Sequence, residues 1–333
     1  MAISLTPTYS GRWGPRQADL FDFYANATRD AGGNPLLIYR HGTGTGSTYL
    51  DDKIIDREPA NLTDFLTNPT TAASLGLHFD VMFIETPQRT VGSAVASGDR
   101  VLMMSAVREF QRAIAEVKRL GVIGFGSSNQ YKTNPQRVGA HGFSWGASLT
   151  LLTQLFPTYQ GDGAGRTHSQ AQYRGAAFDS SLRFVIYNAG QPDIRNISGT
   201  DQIHYSTTSP YLGTCTTSST EWDAIPSTLK DTLSCLAYFG NGDVPACPPT
   251  AVLYNIAGDH VHPYGSGVGG SDIHDSQQGV DLAAALQSAG IRYISRQYVV
   301  TDATSGWQNG TAGKLTNCQA VYDFIASAVT AVV

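Results

Sequence analysis

The stretch Arg137-Val138-Gly139-Ala140-His141-Gly142-Phe143-Ser144-Trp145-Gly146-Ala147 decides how this chain folds. Arg137 to Gly142 has the short, largely apolar pattern of a buried strand, and Ala147 to Phe156 has a helical pattern that stops at Pro157. The glycines at 142 and 146 mark a sharp strand-to-helix turn between them. Working outward, the same rhythm recurs on both sides. Strands are expected at Pro35–Tyr39 and Phe79–Glu85, and again at Arg183–Asn188, Ala251–Ala257 and Arg292–Val300. Helices are expected at Arg100–Leu120, Asp281–Ser288 and Leu315–Val332, with a polar, Gly-rich loop over Gly121–Asn134. In Arg100–Leu120 the apolar Val101, Met104, Val107, Phe110, Ile114 and Val117 recur at threes and fours. In the last helix Val321, Phe324, Ile325, Ala328 and Val332 form one stripe. Strands that alternate with helices predict an α/β chain with a doubly wound, mostly parallel sheet covered on both faces. The continuous apolar strands agree, because central parallel strands are buried on both sides.

The 333 residues are read as one domain, 1–333. One segment breaks the rhythm. Gly190–Pro249 is long, polar and rich in Thr, Ser and Pro, and it lies between two late strands, so it reads as a lid-like insertion, 190–249. Insertions at the C-terminal ends of strands sit over the crevice where such sheets bind ligands. Tyr205, Tyr211 and Trp222 would either line a pocket there or form the insertion's own small core.

Composition removes several classes. Charged residues are 15% against about 25% in a typical soluble protein, and hydrophobic residues 41%, which excludes a disordered chain. A net charge of −5 gives no footprint for nucleic acid. No apolar run approaches the roughly 18 residues of a membrane span. The N-terminal MAISLTPTYSGRWG lacks the features of a secretory leader, so the chain is expected to be cytoplasmic, or secreted with its leader removed. Oligomeric state is open. Cys215, Cys235 and Cys247 cluster in the insertion and Cys318 stands apart; without C-x-x-C spacing a zinc or redox motif is not expected. Buried thiols or one or two disulfides within 215–247 both fit. Asn26, Asn61, Asn196 and Asn309 open N-x-Ser/Thr sequons.

Gly142-Phe143-Ser144-Trp145-Gly146 matches G-x-S-x-G in the strand–turn–helix setting that exposes a serine hydroxyl at a helix N-terminus, where backbone N–H groups favour developing negative charge. On these residues the chain resembles an α/β-hydrolase, in the neighbourhood of esterases, feruloyl esterases and polyester depolymerases. Three further motifs carry the likeness. Asn134-Pro135-Gln136-Arg137-Val138 resembles the family's lead-in to the elbow. His41-Gly42-Thr43-Gly44 resembles its oxyanion loop, and Gly258-Asp259-His260-Val261-His262-Pro263 its acid loop. The likeness spans about residues 35–332.

The resemblance implies a carboxylic-ester hydrolase acting on a small-molecule or polymeric ester, with Ser144 as nucleophile, an acyl-enzyme intermediate, and neither metal nor organic cofactor. The oxyanion donors would be the N–H groups of Trp145 and Thr43, with Gly42 and Gly44 letting the backbone approach. Each such donor contributes about 3–4 kcal/mol. A phosphate-loop reading of HGTGTG lacks the lysine it would need. Asp259 is the expected acid; Asp193 is the runner-up, and Asp272 and Asp275 are weaker rivals.

The family places its histidine after the last strand, but VVTDATSGWQNGTAGK holds none, and Trp307 stands near that place. His41, His78, His141, His168 and His204 read as loop, edge, buried-strand or insertion residues. His274 is the expected base, His262 the alternative and His260 the third, all on the loop after the fifth strand. A serine without a base is a poor nucleophile, so a catalytically impaired binding protein, or an acyltransferase with the same nucleophile, are the competing expectations.

Overall fold

The computed structural model describes residues 6–14, 19–40, 77–84, 102–143, 145–155, 179–195, 220, 223–231, 234–240, 247–255, 276–298 and 312–330. Eight strands form one sheet: β1 (Tyr9–Arg12), β2 (Leu20–Tyr24), β3 (Asn34–Arg40), β4 (Asp80–Ile84), β5 (Thr133–Phe143), β6 (Val185–Asn188), β7 (Thr250–Asn255) and β8 (Tyr293–Tyr298). Their order is β1-β2-β4-β3-β5-β6-β7-β8. β1 and β2 pair antiparallel with each other, and β2 pairs antiparallel with β4; every other pair is parallel. The expected α/β class with a mostly parallel sheet is therefore observed. The helices are α1 (Leu102–Ile123), α2 (Trp145–Leu155), the short α3 (Ser227–Asp231) and α4 (Cys235–Gly240), α5 (Ser276–Ser288) and α6 (Ala312–Thr330).

Alternation along the strands splits the core into two layers. Leu36 and Ile38 of β3 point to one face, where Val107, Phe110, Ile114 and Val117 of α1 join Leu149 and Leu152 of α2 and Leu282 and Leu286 of α5. Leu37 and Tyr39 point to the other, against Val321, Tyr322, Ile325 and Ala328 of α6. The described members of the stripes expected for α1 and α6 (Val107, Phe110, Ile114 and Val117; Val321, Phe324, Ile325 and Ala328) are thus buried, while Val101 and Val332, and the side chain of Met104, lie outside what the structure describes. Each such side chain contributes about 1.5–3 kcal/mol by leaving water.

Two expectations change. β1 and β2, absent from the sequence reading, extend the sheet beyond β4. Gly121–Asn134 is not one loop. α1 passes through Gly121, where an added Cβ would lie 2.0 Å from Thr133 Oγ1, so the glycine permits close packing rather than ending the helix. The helix stops at Gly124, whose φ of 111° takes it out of the right-handed region and whose N–H donates to Leu120 O at 2.8 Å. β5 then starts at Thr133, four residues early, through a register shift that places Thr133 opposite Asn34 and Val138 opposite Leu36. Pro135 is tolerated in that irregular stretch, where it need not donate to the ladder.

The described parts of the segment 190–249, expected to be an insertion, pack into the main core. Ile194, Ile225 and Cys235 join the α1 face, and Leu236 N–H donates to Pro192 O at 3.1 Å. Cys235 and Cys247 are free thiols; burial pushes the first well above the ordinary thiol range and the second up to about 12. Cys215 lies outside the described residues. Asn26 is 1% exposed and its Oδ1 accepts from Thr28 N–H, which puts this sequon out of reach of a glycan.

At the opposite end of the sheet from the strand C-termini, Asp80 opens β4 with no exposure. Burial pushes its carboxyl up to about 6, against Arg29 at 2.6 Å, Asn26 N–H at 2.8 Å and the Asn34 amide at 3.3 Å. A carboxyl raised in the folded state binds more protons there than in the unfolded chain, so its contribution is present at low pH and lost as pH rises through about 6. Relative to Asp80→Asn, which does not titrate, the wild-type chain is expected to lose on the order of 3 kcal/mol at most between about pH 4 and pH 7.5. Urea melts of both chains at the two pH values check this; a difference that does not change with pH contradicts it.

Candidate active site

Six parallel strands, β3, β4, β5, β6, β7 and β8, end at the same edge of the sheet. The segments that hold the sequence candidates leave from this edge. β3 ends at Arg40, one residue before His41-Gly42-Thr43, and β5 ends at Phe143, one residue before Ser144. α2 begins at Trp145, so Ser144 is the single residue between strand and helix. β3 and β5 are neighbours. β7, whose following segment carries Asp259, His260, His262 and His274, lies two strands from β5, or roughly 10 Å at ordinary strand spacing.

Gly42, Thr43, Ser144, Asp259, His262 and His274 themselves lie outside the described residues, as do His260, Asp272 and Asp275. Of Trp145 the backbone is described. It opens α2, in the first turn whose N–H groups have no acceptor within the helix.

The turn requires a glycine at 142. A Cβ there would meet the Gly146 carbonyl oxygen at 2.3 Å and Ala147 Cα at 2.5 Å, both backbone atoms. α2 therefore sits directly on the end of β5. Its first turns are tied to the segment after β6: Ser148 Oγ donates to Gln191 O at 2.8 Å and accepts from Gln191 N–H at 2.9 Å, with the Tyr187 hydroxyl 3.2 Å away. Between them Ala189 holds a φ of 48° and donates to Leu253 O at 2.9 Å. A non-glycine residue in that region is strained, and strain of this kind collects at functional edges. None of these supports carries a sequence motif.

Two histidines are described, and neither is placed to serve as base. His141 is fully buried on β5, its ring edge-on to Tyr39 at 5.0 Å, and burial pushes its pKa down to about 3. That holds it neutral and makes it a weak proton acceptor. His78, expected at the surface, is about three-quarters buried, with Nδ1 3.0 Å from Asp30 Oδ1. It precedes β4, at the far end of the sheet.

Asp193 is described and already engaged. Its Oδ1 accepts from Arg195 N–H and Nε, both at 2.9 Å, and its Oδ2 from Arg195 Nη2 at 2.7 Å. Both oxygens therefore serve an arginine fork. Among the described residues no group of three or more His, Cys, Asp or Glu is placed to hold a metal ion, and no helix is long and apolar enough to cross a membrane.

No family model matches the chain, and no curated protein matches it in sequence. Solved structures match over almost its whole length. A truncated carbohydrate esterase from gut microbiota superposes with a TM-score of 0.58 at 14% identity, covering 98% of this chain and 97% of its own. An inhibited esterase B from Lactobacillus rhamnosis gives 0.57 at 11%, covering 98% and 90%. An acetyl ester-xyloside bifunctional hydrolase from Caldicellulosiruptor lactoaceticus gives 0.58 at 13%, covering 97% and 98%. The fold is thus one that these esterases share.

Proposed function

We propose that the chain is a serine hydrolase of the α/β-hydrolase class that cleaves carboxylic esters. The observation that carries this reading is the junction at 143–145. A glycine-flanked serine stands alone between a central parallel strand and a helix N-terminus, at the edge of the sheet where the other candidate segments emerge. The esterase neighbours support it at the level of fold.

In this reading Ser144 attacks the ester carbonyl while a histidine takes its proton. The N–H groups of Trp145 and Thr43 bind the oxyanion, the alcohol leaves with the proton returned, and water releases the acyl group from Ser144 by the reverse sequence. Asp259 orients the histidine. The pairing of Asp193 with Arg195 favours Asp259 over its runner-up. With His141 buried and His78 at the far end, His274 is retained as the base and His262 as its alternative.

The experiment is hydrolysis of p-nitrophenyl acetate and butyrate by purified protein carrying single substitutions. Asp259→Asn is expected to lower kcat by about 10⁴-fold, as loss of the orienting carboxylate does in serine hydrolases. Asp193→Asn is expected to reduce stability and leave kcat within about threefold. His274→Ala is expected to abolish turnover; full activity there, with loss in His262→Ala, moves the base to His262. Wild-type protein no faster than all four variants overturns the hydrolase reading.

A further inference from the structure

α2 carries three hydroxyl side chains, Ser148, Thr150 and Thr153. Two of them serve the helix itself: Thr150 Oγ1 donates to Gly146 O and Thr153 Oγ1 to Thr150 O, each at 2.6 Å. Back-bonding of this kind is an ordinary use of a hydroxyl inside a helix. Ser148 does otherwise. Its side chain is fully buried, and its hydroxyl leaves the helix to take both backbone groups of Gln191, donating to the carbonyl at 2.8 Å and accepting from the N–H at 2.9 Å. The Tyr187 hydroxyl of β6 lies 3.2 Å away, and the Ser148 carbonyl accepts from the Cys235 thiol of α4 at 3.8 Å.

Packing around this tie leaves no slack. A Cβ built on Gly190 would lie 2.5 Å from the Tyr187 hydroxyl and 2.7 Å from Ala147 Cβ, so α2 meets the segment after β6 at a distance that admits no side chain there. The tie also continues past Gln191. Ala189, held at a φ of 48°, donates its N–H to Leu253 O of β7 at 2.9 Å. α4 holds the same segment from its other end, where Leu236 N–H donates to Pro192 O and Ile194 N–H to Ser234 Oγ, both at 3.1 Å. α2, the 189–194 segment and β7 are thus joined by one run of hydrogen bonds. A single hydroxyl that engages both the N–H and the carbonyl of one residue resists sliding and rotation of the helix alike, because either motion breaks the alignment of one bond. Ser148 closes the first turn of α2, the turn that Trp145 opens.

We propose that Ser148 is a positioning residue of the hydrolase site: it sets the first turn of α2 against β7, and so fixes the Trp145 N–H relative to the strand that leads to Asp259. This role rests on the serine-hydrolase reading above. Ser148 is buried behind the site and does not touch substrate. Its loss lets the helix settle by a fraction of an ångström, which degrades transition-state stabilisation more than ester binding. A misplacement of about 1 Å is enough to cost about 10²-fold, so a smaller shift is expected to cost about tenfold.

The test compares wild type with Ser148→Ala, Ser148→Cys, Thr153→Val and Ser144→Ala on p-nitrophenyl butyrate. Far-ultraviolet circular dichroism and a thermal melt confirm the fold of each chain. Ser148→Ala is expected to lower kcat by about tenfold with KM within about threefold, and to slow labelling of Ser144 by a fluorophosphonate in parallel. Ser148→Cys, which keeps a weaker donor and acceptor in the same place, is expected to recover part of kcat and not all of it. Thr153→Val removes a buried hydroxyl bond further along the same helix and is expected to lower the melt while leaving kcat within about twofold. A merely structural role for Ser148 would make its alanine variant behave as Thr153→Val does. A folded Ser148→Ala with wild-type kcat, or with a loss that Thr153→Val matches, overturns the positioning role alone if Ser144→Ala is inactive. If Ser148→Ala does not fold, Ser148→Cys decides: a kcat equal to wild type overturns the role. Ser144→Ala as active as wild type overturns the hydrolase reading and this role with it.

Discussion

Ser144→Ala is expected to lower kcat/KM for p-nitrophenyl butyrate by about 10³-fold or more while leaving the thermal midpoint near that of wild type. The size follows from the role proposed for Ser144. The nucleophile, its base and the orienting carboxylate act as a unit, so removing the first forfeits nearly all of what the three provide. What remains is the catalysis that oxyanion binding and substrate positioning give to attack by water. The stability expectation follows from position. Ser144 stands alone between Phe143 and Trp145, and a smaller side chain there leaves β5 and α2 intact. Steady-state rates and a melt of the same preparation check both parts. A variant as active as wild type means that the ester chemistry, if present, is done elsewhere.

Gly142→Val is expected to have the second largest effect, on stability and activity together. Its Cβ would meet Gly146 O at 2.3 Å and Ala147 Cα at 2.5 Å, and backbone does not move aside as a flexible side chain does. α2 must shift away from β5, carrying with it Leu149 and Leu152, both fully buried in the α1-side core. Overpacking of this kind costs roughly 1–3 kcal/mol, and more where backbone is involved. The same shift displaces the N–H of Trp145 and the turn that presents Ser144, so kcat is expected to fall about 10²-fold in the protein that still folds. Gly32→Ala is the control, since an added Cβ at Gly32 meets nothing within 4 Å. Equal melts for the two variants would show that the contact at Gly142 is slack.

The central part of the fold was legible because it is written in two periods. β3, β4, β6 and β7 are short apolar runs bounded by turn residues, and α1 and α6 carry apolar stripes at helical spacing whose described members are buried. β1 and β2 were not legible for the same reason. β1 is Tyr-Ser-Gly-Arg with alternate partial exposure, and β2 carries Asp22 in the middle of Leu-Phe-Asp-Phe-Tyr. Asp22 is nonetheless 3% exposed because Ser10 of β1 donates to it at 2.5 Å, a cross-strand contact no local pattern announces. Gly121 misled in the other direction, read as a breaker where it serves close packing against Thr133.

The candidate site was legible where chemistry demands a motif and opaque where it demands only support. G-x-S-x-G at a strand–helix junction is local, so the turn could be placed from sequence. The ties from Ser148 to Gln191 and Tyr187, and the pairing of Arg40 with Gly142, join residues about 40 to 100 positions apart. The segment after β7 carries three histidines within fifteen residues, and spacing alone does not rank them.

The most direct measurement is intact mass of wild type and Ser144→Ala after exposure to a fluorophosphonate, followed by peptide mapping. One adduct on wild type, located on Ser144, and none on the alanine variant is the predicted result. No adduct on wild type, or the same adduct on both chains, would contradict the assignment of Ser144 as an activated nucleophile.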